Sequence, residues 1–398
     1  MYQIHKDFRP YQSVTREKLD QILDSRILRL DDLTAPIIIE KIELLFNFGA
    51  YMVRTVSRDG LVGISITNDR IQYVYPILEK LIAPYFIGKD ARRLEKLLDE
   101  VYVYQSNYKM AGIPYYSALA ALELSILDML AKAKNVGMAE LFGERLQDWA
   151  NLYVASGNRQ TTPEEELEII QARVEKSGAK AIKFKIGGRM SRNKDSMEGR
   201  SEKLIYQSRE FFGDDMVIHA DGNGSYDVET AVKYGKMLEE IDAYFYEEPC
   251  PFDDLESTRN VTAQVKIPLA FGEQENSMTR FRWLVENHGC DVLQPDILYN
   301  GGLIRTTKVA KMAELASMTI TPHVSSGFCF VYLLYFAAFT PNIGKYLENK
   351  EGLALANAFL EEPIIRSEGR LSIPKLKGVG IDEKNPLVKH AVVLFDVH

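Results

Sequence analysis

From about residue 150 onward, short apolar runs alternate with amphipathic stretches, and most runs end on an ionisable residue: Lys185, Asp221, Glu247, Glu273, Asp296, His323 and Glu348. Successive members stand roughly 25 residues apart, with one interval near 36, about the length of one strand–loop–helix unit. The runs read LYVASG, AIKFKIG, MVIHADG, YFYEEP, LAFGEQ, DVLQPD, TITPHV and KYLEN. Eight such strands, separated by helical stretches such as PEEELEIIQARVEKSG, imply a closed parallel α/β barrel and not an open sheet. Chemistry in such barrels sits at the C-terminal strand ends, so the seven residues form a ring.

The chain has 398 residues, too many for one ordinary core, and a second domain is expected. Residues 1–36 are polar and read as an N-terminal extension with one short helix, Thr15 to Leu23, after a candidate cap at Ser13. Residues 37–148 change character. Two β-rich runs meet around an Arg58-Asp59-Gly60 turn, and three amphipathic helices follow, which makes an α+β module. The barrel spans 149–360, and residues 361–398 are expected to return to the first module.

A net charge of −8 argues against nucleic acid or an anionic membrane as the main partner. The three cysteines, Cys250, Cys290 and Cys329, lack CxxC spacing and suit a reducing compartment. With no apolar leader at the N-terminus and no apolar stretch long enough to span a bilayer, the cytoplasm is the expected location.

Strand side chains alternate faces, so Lys183 and Lys185 both point into the barrel, where two ammonium groups require something anionic. Asp221, Glu247 and Glu273 end three consecutive strands, and three converging carboxylates demand a cation. An all-oxygen set with room for water and substrate suits Mg²⁺ better than zinc. Asp296 and His323 end the next two strands; an aspartate beside a histidine fixes the ring tautomer and stabilises the imidazolium. Each of these residues alone is as readily a solvated or structural group. Together they place Lys185 and His323 on opposite sides of whatever the metal holds. Metal and Lys183 then stabilise charge building on a carboxylate whose α-proton a general base removes. Lys185 must be neutral to serve as that base, and the neighbouring cations push it that way. Glu348, if protonated, donates to the substrate carboxylate. His219, inward and one layer deeper than Asp221, reads as a packing residue.

These motifs resemble the enolase superfamily, and within it the mandelate racemase subgroup: KFK for the lysines, DGN, EEP and GE for the metal ligands, QPD and PH for the dyad, YLEN for the last acid. The resemblance covers about residues 37–385. It implies a modified TIM (β/α) barrel with an N-terminal α+β capping domain, Mg²⁺ as cofactor, a small carboxylate substrate and a homo-oligomer. It assigns metal binding to Asp221, Glu247 and Glu273, and catalysis to Lys183, Lys185, Asp296, His323 and Glu348. The pairing of such sites with a Lys or His base and Mg²⁺ is a general property of the superfamily. The segment after the sixth strand, PDILYNGG, has no lysine, unlike muconate-lactonising and dipeptide-epimerising relatives.

The expected activity is dehydration of an aldonate or aldarate to a 2-keto-3-deoxy acid. Racemisation or epimerisation of a 2-hydroxy acid is the alternative, and a catalytically silent carboxylate-binding barrel is the reading from another class. Two departures stand out. The lid loop usual between the first two capping strands is reduced to Asn47–Ala50, and the extension, from this subunit or a neighbour, is expected to supply cover instead. The long charged loop GGRMSRNKDSMEGRSEK follows the lysine strand; its arginines either read substrate or, the favoured reading, are solvated. Tyr115, Tyr116, Tyr299 and Asn300 are the candidate specificity residues.

Overall fold

The computed structural model describes residues 7–325, 327–349 and 352–398. The capping sheet holds β1 (Ile39–Asn47), β2 (Ala50–Ser57) and β3 (Val62–Thr67), all antiparallel. Asn47 pairs with Ala50 across a two-residue turn whose Phe48 and Gly49 have φ of 50° and 73°. Left-handed backbone at both turn positions matches the twist of the strands, so the hairpin closes without a lid. The C-terminal strand Val392–Val397 pairs with β1. The helix Ile113–Lys134 packs on β2 and β3. It is long and apolar enough to cross a membrane by length and composition, yet 89% of its 18-residue apolar window is buried within the fold.

The barrel strands are β4 (Trp149–Ala155), β5 (Ala181–Lys185), β6 (Val217–Asp221), β7 (Phe245–Glu247), β8 (Leu269–Phe271), β9 (Val292–Leu293), β10 (Thr319–Ile320) and β11 (Tyr346–Asn349). They pair in parallel in chain order, and β11 returns to pair with β4. Between β10 and β11 the ring closes at a parallel bridge from Ile320 to Ile343, with the Gly344 amide donating to Ile320 O at 2.9 Å. Local chemistry sets the helices between them. The first, Pro163–Ser177, opens on a capping box in which Thr162 and Glu165 satisfy each other's amides, with Pro163 at the first turn, and ends at Gly178 in the left-handed region.

The described part of the extension, from residue 7, does not lie over the barrel mouth. Its helix runs Arg16–Asp24 and packs on the outside of the barrel helices Met278–Glu286 and Leu303–Leu315. Thr15, not Ser13, is the residue before it, and its side chain makes no cap. Phe8 packs against Tyr244 with the rings tilted at 51°, just before the start of β7, at the opposite end of the strand from Glu247. Arg282 pairs with Asp20, Arg16 with Glu286 at 2.8 Å, and Lys308 donates to Leu23 O at 2.6 Å. The described part of the extension therefore straps the barrel wall, and the expected intramolecular cover is corrected: these partners lie on the outer helices, which attract the strap's charges.

Candidate active site

Lys185, Asp221 and Glu247 are the last residues of β5, β6 and β7, and Glu348 lies inside β11. Glu273 stands two residues beyond β8, while Asp296 and His323 stand three beyond β9 and β10, where they form a parallel bridge of their own. The ring is thus assembled by strand ends on one side and by the first loop residues on the other.

Ligand atoms of Asp221, Glu247 and Glu273, all buried, lie within 4.8 Å of one another. Each meets at least one cation of the chain, and Asp221 also has Lys183 Nζ at 3.8 Å. Lys185 rests on Asp221 Oδ2, Lys183 Nζ lies 2.7 Å from Glu247 Oε2, and His323 Nε2 lies 3.3 Å from Glu273 Oε2. Gln294 Nε2 also donates to Glu247 Oε2 at 3.1 Å, which leaves Glu247 Oε1 buried and without a hydrogen-bond partner. A buried, unmatched carboxylate oxygen beside two further carboxylates, with no thiolate in the cluster, fits a hard divalent cation such as Mg²⁺.

The electrostatics follow from burial and neighbours. Burial and repulsion from Asp221 push the Glu247 carboxyl up to about 7. Burial opposes ionisation of Asp221 as well, but Lys185 and Lys183 win and hold it well below the usual range. Burial by itself would lower the Lys183 ammonium; Glu247, Glu348, Tyr153 and Asp221 outweigh it and hold it well above its ordinary value. Glu273 is lowered because the charge of His323 overcomes its burial. Burial, with Glu273 and Asp221 nearby, drives Glu248 well upward.

His323 Nδ1 is 2.8 Å from Asp296 Oδ2. Asp296 Oδ1 accepts the Leu298 and Tyr299 amides at 2.8 and 3.0 Å and the Ser325 hydroxyl at 3.3 Å, so the carboxylate cannot rotate away. A carboxylate only accepts, so the Nδ1 proton is fixed by inference and Nε2 faces the cavity. Glu348 Oε1 lies 3.3 Å from Lys183 Nζ, and its Oε2 accepts the Val324 amide at 3.1 Å. His219 is fully buried, with Nδ1 against Ile182 O at 2.8 Å and burial lowering it to about 3, which suits a neutral packing residue.

Lys185, His323, Glu273 and Glu348 line one cavity of about 780 Å³. Glu273 and His323 also line a neighbouring cavity of about 300 Å³ with Arg70, Arg189, Asn223, Tyr299 and Ser325. Of the four specificity candidates, Tyr299 faces it. Tyr116 lines a separate space under Arg305, whose guanidinium lies 4.2 Å from its ring centroid. Tyr115 is fully buried, and Asn300 turns inward, 3.3 Å from Thr306 Oγ1. Sequence reasoning missed Arg70 and Asn223 and put Arg189 among solvated arginines. Asn223 had a signal, since it follows Asp221 in DGN. Arg159 Nη2 donates to its Oδ1 at 2.6 Å, and a guanidinium only donates, so Asn223 Nδ2 is the amide atom left for a ligand.

Comparison with known proteins agrees with this geometry. The enolase C-terminal domain-like family matches residues 165–385, and the mandelate racemase / muconate lactonizing enzyme N-terminal domain family matches 49–143. An arabinonate dehydratase of Saccharolobus solfataricus is 26% identical over 81% of this chain and 85% of its own length. A D-galactonate dehydratase of Klebsiella pneumoniae is 29% identical over 68% of this chain and 70% of its own. Among solved structures, a putative racemase from Roseobacter denitrificans superimposes with a TM-score of 0.84 at 27% identity, covering 91% of this chain and all of that one.

Proposed function

The chain belongs to the enolase superfamily, carrying the domain pair of its mandelate racemase / muconate lactonizing enzyme members, and from that premise we propose that it is a Mg²⁺-dependent sugar-acid dehydratase. One observation carries the reading: a buried three-carboxylate cluster stands between a lysine on one flank and an Asp–His dyad on the other. The two curated relatives described above are both named as sugar-acid dehydratases.

Asp221, Glu247 and Glu273 would hold Mg²⁺, which when bound supplies Lewis-acid polarisation of a substrate carboxylate. Lys183, whose ammonium is charged throughout the physiological range, stabilises negative charge growing on that carboxylate as the α-proton leaves. Glu348 orients Lys183 from 3.3 Å. Lys185, in its neutral form, takes the α-proton. His323, steadied by Asp296, gives a proton to the departing β-hydroxyl, so that water leaves and the enol collapses to a 2-keto-3-deoxy acid. Three buried cysteines, none in a disulfide among the described residues, accord with the cytoplasm as its compartment.

Proton NMR of the Mg²⁺-loaded protein in D₂O, against aldonic, aldaric and simple 2-hydroxy acids, tests the proposal. Loss of the α-proton signal with a new C3 methylene is the expected result. Solvent exchange with an intact carbon skeleton would instead mean racemisation or epimerisation, for which opposed bases also suffice. Silence across the panel together with no Mg²⁺ uptake would leave a non-catalytic binding barrel.

A further inference from the structure

Resting on the dehydratase reading, we propose that the substrate is a dicarboxylate, an aldarate, whose second carboxylate is held by Arg70 of the capping domain and Arg189 of the loop after β5. Both arginines line the cavity of about 300 Å³ that also contains Glu273 and His323. That volume suits a small acid held at both ends. Among the described residues neither guanidinium has a carboxylate within ion-pairing distance, although acids outnumber bases in the chain as a whole by 56 to 48. Unmatched cations gathered over an active-site mouth draw an anion to it.

Both arginines are exposed, but the segments that carry them are held in place. The Arg70 amide donates to Asn68 Oδ1 at 3.0 Å, and its guanidinium lies over the Tyr299 ring, 5.6 Å from the centroid. Asn68 is itself buried and donates to Ser325 Oγ at 3.3 Å, which in turn touches Asp296. The capping loop that carries Arg70 is thus tied to the dyad. Arg189 sits on a loop stapled to the one after β6: the Met190 amide donates to Asn223 O at 3.0 Å and the Asn193 amide to Ser225 O at 2.8 Å. Met190, Arg192 and Asn193 take left-handed backbone, with φ of 51°, 54° and 69°. Three such residues in one loop are costly, and the staples hold them there.

The chemistry of the far end decides between substrate classes. An aldonate ends in a neutral hydroxymethyl group, which offers two guanidinium forks no counter-charge. An aldarate ends in a second carboxylate, whose planar oxygens match the fork of an arginine. Ile113, Met190, Phe252 and Tyr299 supply apolar walls beside the two guanidinium groups.

Binding and turnover of paired acids test this: galactarate against galactonate and glucarate against gluconate, with the Mg²⁺-loaded full chain. Calorimetry should give at least one dicarboxylate a ~10- to 100-fold advantage over its partner, the range of one or two charge-assisted contacts. Arg70→Gln and Arg189→Gln should each remove about tenfold or more of that advantage, chiefly in KM, while leaving the monocarboxylate unchanged. Arg189→Lys, which keeps the charge but loses the fork, should restore part of it. Equal handling of the two classes, or arginine variants that weaken both alike, overturns the proposal. The two readings fail separately. Keto acid formed from an aldonate with silent arginine variants removes the subsite and keeps the dehydratase. A dicarboxylate preference in binding, lost in the variants but without turnover, removes the dehydratase and keeps the subsite.

Discussion

Lys183 Nζ lies 2.7 Å from Glu247 Oε2, both groups almost wholly buried, so the chain supplies its own cation to the middle carboxylate of the cluster. The pair leaves Glu247 Oε1 unmatched, and burial with the Asp221 charge still raises Glu247 to about 7. A ligating carboxylate must be ionised, so metal uptake competes with a proton.

Mg²⁺ affinity should therefore fall by about tenfold per pH unit below about 7 and level off above it. Calorimetry in buffers of different ionisation enthalpy should record close to one proton released per ion at pH 6 and almost none at pH 8.5. Affinity that stays constant between pH 6 and 8 would show that Glu247 is already ionised.

Lys185 rests on Asp221 and His323 on Glu273 while both line one cavity, so the roles proposed for them can be separated experimentally. Lys185→Met should abolish both solvent exchange of the α-proton and product formation. His323→Asn should cut product formation by about 10²- to 10⁴-fold while exchange continues, because the α-proton still leaves but the β-hydroxyl lacks its acid. Exchange lost in His323→Asn and retained in Lys185→Met would reverse the assignment of the base.

Gln294 donates to Glu247 Oε2 of the carboxylate cluster at 3.1 Å, and it sits inside the QPD motif. Its amide orients the carboxylate so that the other oxygen points free. Gln294→Leu should weaken Mg²⁺ binding about 10- to 100-fold with the thermal transition little changed, the usual scale for a group that orients a ligand. Unchanged affinity in that variant would assign the orientation to Lys183 alone.

The ring of ionisable residues was legible because a barrel repeats one unit, so a period in the sequence becomes a position in space. Lys183 and Lys185 could be oriented from strand alternation alone. What was not legible depended on tertiary partners. Arg70 and Arg189 sit in loops with no periodicity, and only the staples to Asn223 and Ser325 show that they are held over the cavity. Asn300 lies close to Asp296 in the chain, yet its side chain turns inward to Thr306. Closeness in sequence to a residue of the candidate site says nothing about which way a loop side chain points. The strap failed for a similar reason: its charges found Glu286 and Arg282, and its Leu23 carbonyl found Lys308, on the barrel wall, and no pattern in the first 36 residues encodes that destination.

Removing residues 1–35 should accordingly destabilise the chain without touching the chemistry. Leu19, Ile27, Leu28 and Leu30 are buried, and each contributes about 1.5–3 kcal/mol on burial. Thermal unfolding should shift down by many degrees while kcat and KM of the remaining folded protein stay within about threefold, since none of the described residues of the strap lines the cavities at His323. A large rise in KM would mean that the extension of another subunit reaches the mouth.

Glu123 joins the two domains and makes stability depend on pH. It is fully buried in the helix Ile113–Lys134, where its Oε1 accepts the Ile304 amide at 3.0 Å in the first turn of a barrel helix. Its Oε2 lies where a Cβ on Gly302 would come within 2.1 Å, so only glycine, here at φ 112°, lets the domains approach. Burial raises this carboxyl to about 8, against about 4.5 in an exposed chain. Between those values the folded state holds a proton that the unfolded state has lost, so stability falls as pH rises through this window, by up to roughly 1.4 kcal/mol per unit, and is flat outside it. Other buried acids raised in the same way, such as Asp128 and Glu248, add slope of the same sign, which makes a difference measurement necessary. Glu123→Gln keeps the acceptor for Ile304 and cannot ionise. Its denaturant midpoint should decline less steeply than that of the parent from pH 5 to 8, and it should be the more stable of the two at pH 8.5. Parallel curves would mean that Glu123 stays ionised in the fold and that its charge is balanced by the helix terminus it caps.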